Sequence, residues 1–321
     1  MAPRDTIAIV GAGLMGHGIA QVFAVAGHAV RVYDVRRAAL DTLQSRIRGN
    51  LDQLGIAGRA EARVSAHADL AEAVAGAAVV FEAAPEKLDL KRALFAELVK
   101  LAAPDALLAS NTSVIPIGEI ASGLETSERI VGTHWWNPPF LVPLVEVVAT
   151  GRTAASSVER MIGLLESVGK QPVRVRKDVP GFVGNRLQHA LWREAIAIVA
   201  EGIADAETVD TVVKASFGRR LAVLGPLENA DLVGTDLTLD IHNTVLAHLD
   251  RSPAPSPYLA CLVREGRLGM KSGRGFRHWS PDEAQALRAT VFSYLRNFDQ
   301  SQKLSGGDHG DATMHTGDPA A

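Results

Sequence analysis

The segment Ile7-Ala-Ile-Val-Gly-Ala-Gly-Leu-Met-Gly leads from a short apolar strand through a glycine-rich turn into a helix. Its glycines Gly11, Gly13 and Gly16 have the spacing G-x-G-x-x-G. In such a turn the first glycine permits the tight bend, the second lets the backbone approach a pyrophosphate, and the third allows close helix–strand packing. Free N–H groups at the helix N-terminus bind phosphate oxygens. The residues expected at a dinucleotide cofactor are Gly11, Gly13, Leu14, Met15 and Gly16.

The sequence after this turn supplies the context that the motif needs. The helix runs to Gly27, and a second strand follows and ends at Asp34. A carboxylate there can accept hydrogen bonds from the adenosine ribose and would repel a 2′-phosphate. Arg36 and Arg37 could hold such a phosphate, or could equally be solvated residues of the next helix. We expect NAD rather than NADP, because the acid itself occupies the ribose position.

Short β-branched runs alternate with alanine-rich helical stretches from residue 6 to about 176. Runs that are apolar on both faces and separated by helices are typical of a doubly wound parallel sheet of the Rossmann type. The expected strands are Thr6–Val10, Ala29–Tyr33, Ala77–Phe81, Ala106–Ala109, Ile130–Thr133 and Val173–Val175. The expected helices include Leu14–Ala26, Arg37–Leu54, Lys87–Ala102 and Ser156–Val168.

After Lys177 the pattern becomes almost purely helical, and the long stretch Asn185–Glu201 has apolar residues near one face. We therefore expect an NAD-binding domain over residues 1–177 and a smaller all-α domain over 178–298 for substrate contacts and dimer formation. The apolar helical face suggests a homodimer. Residues 299–321 are polar and glycine-rich without periodicity, which predicts a disordered tail.

Composition excludes several other classes of protein. The formal net charge of -3 offers no basic excess for nucleic acid. No uncharged apolar run reaches the ~18 residues of a membrane span, and no signal peptide is visible. The single cysteine, Cys261, is typical of a reducing compartment, so we expect a cytoplasmic protein with a small-molecule substrate. His309 and His315 are too sparse for a metal site, and no metal is expected.

The segment from His134 to Glu146 is the candidate for catalysis. His134 follows a strand end, where ligands bind in open α/β sheets. Glu146 lies in the apolar run Leu144–Val148, and a buried carboxylate requires a partner. Pro138 and Pro139 force a bend that could bring the two side chains together. Such a pair would orient the imidazole as a general base for hydroxyl oxidation. The alternative is a structural histidine and a solvated glutamate.

Further motifs accompany this segment in register: Phe81-Glu-Ala-Ala-Pro-Glu, Ser110-Asn-Thr-Ser, Asp178-Val-Pro-Gly-Phe-Val-Gly-Asn-Arg, Gly225-Pro-Leu-Glu-Asn-Ala-Asp-Leu-Val-Gly and Lys271-Ser-Gly-Arg-Gly-Phe. Together they resemble the L-3-hydroxyacyl-CoA dehydrogenase family, in which the catalytic segment reads H-F-F-N-P and then L-V-E-V. The resemblance covers residues 5 to about 280. It implies an NAD-dependent enzyme that oxidises a 3-hydroxyacyl-CoA, or reduces the 3-keto form, in fatty acid metabolism.

The resemblance also implies roles for single residues. His134 would be the base in oxidation and the acid in reduction, and Glu146 would orient it. Ser113 and Asn185 would hydrogen-bond the reacting oxygen or its neighbours, although Ser113 could also be a turn former and Asn185 a helix cap. The residues expected to line the cofactor pocket are Glu86, Lys91, Asn137 and Lys271.

Departures from the family pattern concern the substrate. The residues after His134 are Trp135 and Trp136 rather than two phenylalanines, although at least one indole could simply belong to the core. Asn50–Val64, where a helical excursion would meet CoA, is short and has no lysine cluster. These features favour the alternative of a free hydroxy acid or a formyl carboxylate, as in branches like L-gulonate 3-dehydrogenase (lambda-crystallin) or a pyridine-carboxylate dehydrogenase. The breadth of the resemblance favours the acyl-CoA substrate.

Two other classes of function are compatible with a dinucleotide-binding turn. A crystallin-like protein could bind NAD without turnover, but it would have no need of a costly buried acid such as Glu146. An NAD-sensing regulator would need an effector surface or a DNA-binding segment, and the sequence indicates neither.

Overall fold

The computed structural model describes residues 5–305, with side chains up to residue 298. These residues form two compact units. The first comprises the described residues up to Arg186 together with those from Ser293 onward, and the second is Leu187–Phe292. The domain bounds expected from the sequence, 1–177 and 178–298, stay a prediction.

The first unit is built on one eight-stranded sheet with the order β3-β2-β1-β4-β5-β6-β7-β8. All neighbouring strands are parallel except β6 and β7, which are antiparallel. The prediction of a doubly wound parallel sheet of the Rossmann type, followed by a helical region, is confirmed, with the one antiparallel pair β6–β7 as an addition. The strands are β1 (Thr6–Val10), β2 (Ala29–Tyr33), β3 (Val64–His67), β4 (Val79–Glu82), β5 (Leu107–Ser110), β6 (Ile130–Trp135), β7 (Leu144–Val148) and β8 (Gln171–Val175).

Helices cover both faces of this sheet, because each strand alternates its side chains between two cores. On β1, Ile7 and Ile9 belong to one buried cluster, whereas Ala8 and Val10 belong to the other. The first cluster includes residues of α1, α3 and α7, and the second includes residues of α4, α5 and α6. The helices are α1 (Leu14–Val25), α2 (Arg37–Asp41), α3 (Leu43–Leu54), α4 (Leu70–Val74), α5 (Leu88–Leu101), α6 (Ile117–Ile120) and α7 (Ala155–Ser167).

Two local features of the first unit differ from the sequence expectation. The expected helix Arg37–Leu54 is interrupted at Thr42 and ends at Gly55, whose φ of 69° closes the last turn. The strand β3 was not expected. It lies at the edge of the sheet and buries Val64 fully, whereas Ser65 and Ala66 are exposed, so its apolar signal is weak.

The second unit is helical. Its long opening helix α8 has the bounds Gly184–Ala200, and the helix α13 continues to Ser305, beyond the expected start of the tail at 299. The rest of the expected tail, 306–321, lies outside the described residues. Within residues 5–305, no helix has the length and apolar character needed to cross a membrane. The remaining helices are α9 (Ala206–Ala215), α10 (Pro226–Val233), α11 (Thr235–Val245) and α12 (Pro257–Arg264).

The glycine turn between β1 and α1 leads to a first prediction. A Cβ on Gly16 would lie 1.7 Å from the carbonyl oxygen of Gly11, whereas a Cβ on Gly49, inside α3, would meet nothing within 4 Å. Gly16→Ala should destabilise the chain by at least ~2 kcal/mol, because backbone must move. Gly49→Ala should raise the melting temperature by about 1–3 °C, since alanine favours the helix. Thermal unfolding followed by circular dichroism measures both, and equal melting temperatures would contradict the packing.

Candidate active site

The glycine turn forms a cradle at the carboxyl ends of β1, β2 and β4. Gly11 has a φ of +108°, and a Cβ there would lie 2.6 Å from the carbonyl oxygen of Ala83. A Cβ on Gly13 would meet nothing within 4 Å, so the space in front of the α1 N-terminus is open. Leu14 is exposed beside it, and Met15 packs against the core. These residues fit a dinucleotide pyrophosphate, with the first N–H groups of α1 free to bind it.

Asp34 ties the end of β2 to this turn. One oxygen accepts a hydrogen bond from the backbone N–H of Ala12 at 2.8 Å, and the other accepts one from the N–H of Arg36 at 2.8 Å. Burial acts to raise the pKa of Asp34, but the hydrogen bonds from Arg36 and Ala12 outweigh it and lower the pKa below its usual value. The carboxylate is therefore ionised, and it engages the Arg36 guanidinium at 3.2 Å. This arrangement suits the ribose of NAD.

His134 and Glu146 face each other across the antiparallel pair β6–β7. The His134 Nδ1 lies 2.7 Å from Glu146 Oε2, and the two residues are 4% and 1% exposed. The bend at Pro138 and Pro139, where the Asn137–Pro138 peptide is cis, returns the chain from one strand to the other. The structure thus brings together the two side chains that the sequence proposed as a pair.

Glu146 accepts further hydrogen bonds that stabilise its charged form. Its Oε1 accepts from the N–H groups of Val183 at 2.9 Å and Gly184 at 3.0 Å. Burial alone would raise the pKa of Glu146, but the hydrogen bonds from His134, Gly184 and Val183 together lower it below its ordinary value. An ionised Glu146 holds a proton on His134 Nδ1 and leaves Nε2 as the atom that can accept a proton from a substrate hydroxyl.

Two aromatic rings flank the imidazole. The Trp136 ring centroid is 5.0 Å and the Phe182 centroid 5.8 Å from that of His134. Trp136 lies directly over Gly184, where a Cβ would come within 2.4 Å of the indole. Trp135, in contrast, is buried in the core against Phe23 and Phe81. The sequence left the places of the two tryptophans open, and only Trp136 lies at the site.

The segment from Asp178 to Gly184 holds the backbone N–H groups that bind Glu146 in place. Asp178 accepts hydrogen bonds from the N–H groups of Ile117 and Gly118, at 2.9 and 2.6 Å. Phe182 adopts a φ of +49°, which is unusual for a residue other than glycine, and this turn points the following N–H groups at Glu146. Sequence reasoning assigned Asp178 and Phe182 no role, although both stand in the quoted D-x-P-G-F motif.

Ser113 and Asn185 also meet in the structure. The Asn185 side-chain amide donates a hydrogen bond to the Ser113 carbonyl oxygen at 2.7 Å. Among the described residues, the Ser113 hydroxyl has no hydrogen-bond partner in the protein. It remains available to a ligand. Asn137 is exposed at the start of the bend between β6 and β7. Lys271 belongs to the second unit, and its expected place at the cofactor stays a prediction.

Glu86 clamps the turn that carries Ser113. Its Oε1 accepts hydrogen bonds from the Thr112 hydroxyl at 2.6 Å and from the N–H groups of Ser113 and Val114 at 2.8 and 3.0 Å. Burial acts to raise the pKa of Glu86, but these bonds and the nearby Lys91 ammonium lower it overall. Glu86 is therefore an anion at the carboxyl end of β4.

Lys91 lies deeper than its expected place on the wall of a cofactor pocket. It is 0% exposed, and its ammonium lies 2.7 and 2.9 Å from the two oxygens of Glu82, which is also 0% exposed. The sequence proposed no role for Glu82. A signal was available, since Glu82 follows the apolar run of β4 just as Glu146 interrupts β7, and a buried acid requires a partner.

No metal centre is evident in the described part of the chain, where no group of three or more His, Cys, Asp or Glu side chains could hold an ion. His309 and His315 lie outside the described residues.

Comparison with known proteins places these features in a family context. A family model described as the 3-hydroxyacyl-CoA dehydrogenase NAD-binding domain matches residues 6–179, and the model of the C-terminal domain of the same family matches residues 181–279. The 5-formyl-3-hydroxy-2-methylpyridine 4-carboxylate 5-dehydrogenase of Mesorhizobium japonicum is 37% identical over 88% of this chain and 93% of its own length. A probable 3-hydroxybutyryl-CoA dehydrogenase of Bacillus subtilis is 38% identical over 84% of this chain and 96% of its own.

Among solved structures, a crystal structure described as 5-formyl-3-hydroxy-2-methylpyridine 4-carboxylic acid 5-dehydrogenase, an NAD+-dependent dismutase, superposes with a TM-score of 0.86. It is 35% identical and covers 95% of this chain and 99% of its own.

The His134–Glu146 pair leads to the second prediction. His134→Ala should lower kcat at least ~100-fold, because it removes a positioned proton acceptor. Glu146→Gln should also lower kcat, since an amide cannot stabilise an imidazolium. NADH formation with a substrate that the wild type turns over measures both effects, and the exposed His248→Ala serves as a control. Undiminished turnover in the His134 variant, with NADH binding intact, would exclude this residue as the base.

Proposed function

We propose that this chain, which belongs to the 3-hydroxyacyl-CoA dehydrogenase family, moves a hydride between NAD and the oxygen-bearing carbon of a compact carboxylate without CoA. Free hydroxy acids and formyl pyridine carboxylates are substrates of this class. The proposal takes up the alternative that the departures of the sequence favoured. An enzyme of this kind uses the same catalytic groups as the acyl-CoA branch. It differs in having no binding site for the CoA portion of a substrate.

The observation that carries this proposal is that the arginines in and near Asn50–Val64 are already engaged by other groups of the protein. Arg46 donates to the carbonyl oxygens of Ala12 and Ala39, both at 2.8 Å, so it braces the glycine turn from within. A CoA phosphate would have to compete with these contacts. Arg46 therefore supports the cofactor turn rather than an acyl-CoA site.

The other arginines here are engaged by carboxylates. Arg48 pairs with Asp52 and lies 3.7 Å from Glu61, and Arg59 lies 3.6 Å from the same Glu61. The remaining arginine, Arg63, is exposed. Glu61 is buried beside these arginines, and with Asp52 it places negative charge where CoA phosphates would need positive charge. A substrate without CoA avoids this conflict.

The mechanism follows from the contacts of the first unit. His134 Nε2 accepts the proton of the substrate hydroxyl, and the ionised Glu146 stabilises the imidazolium that forms. Bound NAD supplies the hydride acceptor. The Ser113 hydroxyl is a suitable donor to the substrate oxygen, and Asn185 holds its backbone. Trp136 and Phe182 pack close to the imidazole and help to exclude water from it.

A second candidate is the oxidation of a 3-hydroxyacyl-CoA. The relative from Bacillus subtilis, named for a CoA substrate, favours it, since the similarity spans 96% of that protein. The same His134–Glu146 chemistry would serve such a substrate, so the two candidates are separated by the contribution of CoA to binding alone.

The third prediction separates the two candidates by kinetics. We expect acetoacetate, or a formyl pyridine carboxylate, to be reduced with a kcat/KM at least equal to that of acetoacetyl-CoA, and free CoA not to inhibit. A CoA enzyme would gain binding energy from the nucleotide end and would prefer the thioester by far. Steady-state NADH oxidation measures both.

A double variant tests whether the arginines near Asn50–Val64 contribute to CoA binding. In the double variant Arg48→Gln with Arg59→Gln, kcat/KM for every substrate should stay within about two-fold of the wild type, because arginines that bind no ligand contribute little to turnover. A selective rise of KM for acetoacetyl-CoA would assign these arginines to CoA and refute the proposal.

We further propose that the chain forms a homodimer through its second unit. Between Leu187 and Phe292, apolar side chains such as Val223 (84% exposed) and Leu227 (79% exposed) are largely uncovered, whereas only Leu262 and Ala284 are buried hydrophobic residues. Monomeric proteins rarely expose apolar surface on this scale. A second copy of the same surface would cover it, in keeping with the apolar helical face noted in the sequence.

The fourth prediction tests this interface. Sedimentation velocity at micromolar concentration should give the mass of two chains for the wild type. Leu232→Glu, on α10, should shift the equilibrium towards monomer, because it places a charge in an apolar contact. Val173→Glu, on the exposed edge strand of the first unit, should remain dimeric. A monomeric wild type would refute the proposal.

A further inference from the structure

A buried charge network lies beneath the turn that carries Ser113. The Glu82 carboxylate accepts a hydrogen bond from the N–H of Ala84 at 2.7 Å, one from the Ser110 hydroxyl at 2.6 Å, and two from Lys91 at 2.7 and 2.9 Å. Glu82, Lys91 and Ser110 are all 0% exposed. Such a fully satisfied pair is rigid, and removal of one partner would leave the other charge uncompensated.

The network contains two carboxylates and one ammonium group. Lys91 lies closer to Glu82 than to Glu86, whose Oε2 is 3.4 Å from the ammonium. Glu82 therefore neutralises most of the Lys91 charge. Glu86 keeps its negative charge, while its other oxygen is held by the turn at Thr112 and Ser113. The surplus charge of the network is thus located on Glu86.

The sheet order places Glu86 on the nicotinamide side of the cofactor cradle. Asp34, at the end of β2, marks the side of the adenosine ribose. The strands β4, β5 and β6 lie on the other side of β1. Glu86 follows β4 and is bonded to the turn after β5, and His134, the proton acceptor, stands on β6. The nicotinamide half of the dinucleotide therefore belongs beside Glu86.

We propose that Glu82 is a positioning residue that binds the Lys91 ammonium more closely than Glu86 does, so that the network keeps a net negative charge on Glu86 beside the nicotinamide. The ring of NAD+ carries a positive charge, whereas the ring of NADH is neutral. An anionic Glu86 raises the affinity for NAD+ relative to NADH. Glu82 touches neither the cofactor nor the reacting atoms and acts through the place that it gives Lys91.

The test compares the dissociation constants of NAD+, NADH and ADP-ribose, which has no nicotinamide. In Glu82→Gln, Lys91 loses its charged partner and turns to Glu86. The Kd for NAD+ should then rise about five-fold relative to that for NADH, from the loss of one partly screened charge. The Kd for ADP-ribose should stay within two-fold of the wild type. NADH fluorescence with competition by the other two ligands provides the values.

Two further variants separate charge from shape. Glu86→Gln should give the same shift in the NAD+/NADH ratio, because each of the two single variants removes one negative charge from the network. The double variant Glu82→Gln with Lys91→Met has no cation left to neutralise Glu86, so its ratio should return to the wild-type value.

An unchanged ratio in Glu82→Gln, at a melting temperature near that of the wild type, would overturn the proposal. A parallel weakening of all three ligands would equally overturn it, since that is the signature of a purely structural role. If Glu82→Gln does not fold, the double variant Glu82→Gln with Lys91→Met and the single variant Glu86→Gln still test the proposal. A wild-type ratio in Glu86→Gln would refute the charge effect.

Discussion

The carboxylate of Glu146 is the group on which the architecture of the site depends. It is almost completely buried, so it must be compensated, and its partners come from distant parts of the chain. His134 on the neighbouring strand and the N–H groups of Val183 and Gly184 all converge on it. One ionised side chain thereby aligns β6 with β7 and fixes the turn that leads into α8.

A similar arrangement occurs at Glu82 and Glu86, on the far side of β5 and β6 from Glu146. Each of these acids stands at or just beyond the end of β4; Glu82 binds Ser110, the last residue of β5, and Glu86 binds the turn that follows. Because a parallel sheet brings these strand ends to one edge, acids that are separate in sequence act on one small loop. The loop carries Ser113, whose carbonyl oxygen in turn accepts the Asn185 amide.

Local sequence predicted the first two strands of the chain and the turn between β1 and α1 well. The run Ile7–Val10 and the glycine spacing after it define β1, the turn and α1, because Gly11 and Gly16 leave no room for a Cβ and Gly13 faces open space. The pairing of His134 with Glu146 was also accessible, since an acid inside an apolar strand needs a partner. The family resemblance is confirmed, although it does not identify the substrate.

Other features could not be predicted. The strand β3 buries little, so its residues carry almost no periodic signal. The complete burial of Lys91 was not predicted, because a lysine next to a predicted pocket is expected to face the ligand. The ammonium group is instead bound by Glu82 inside the protein. Trp135 and Trp136 lie on opposite faces because side chains alternate along an extended chain, and Trp136 therefore shares the face of His134. The sequence does not indicate which of the two faces carries the site.

The contact between Trp136 and Gly184 constrains how this site can change over evolutionary time. A side chain at position 184 would collide with the indole, and the same glycine N–H binds Glu146. A replacement of Gly184 is therefore tolerated only after Trp136 has been substituted by a smaller residue, whereas Trp136 can be substituted while Gly184 is still present. The two substitutions can therefore accumulate in only one order, with position 136 changing before position 184. We expect the two positions to vary together among related proteins.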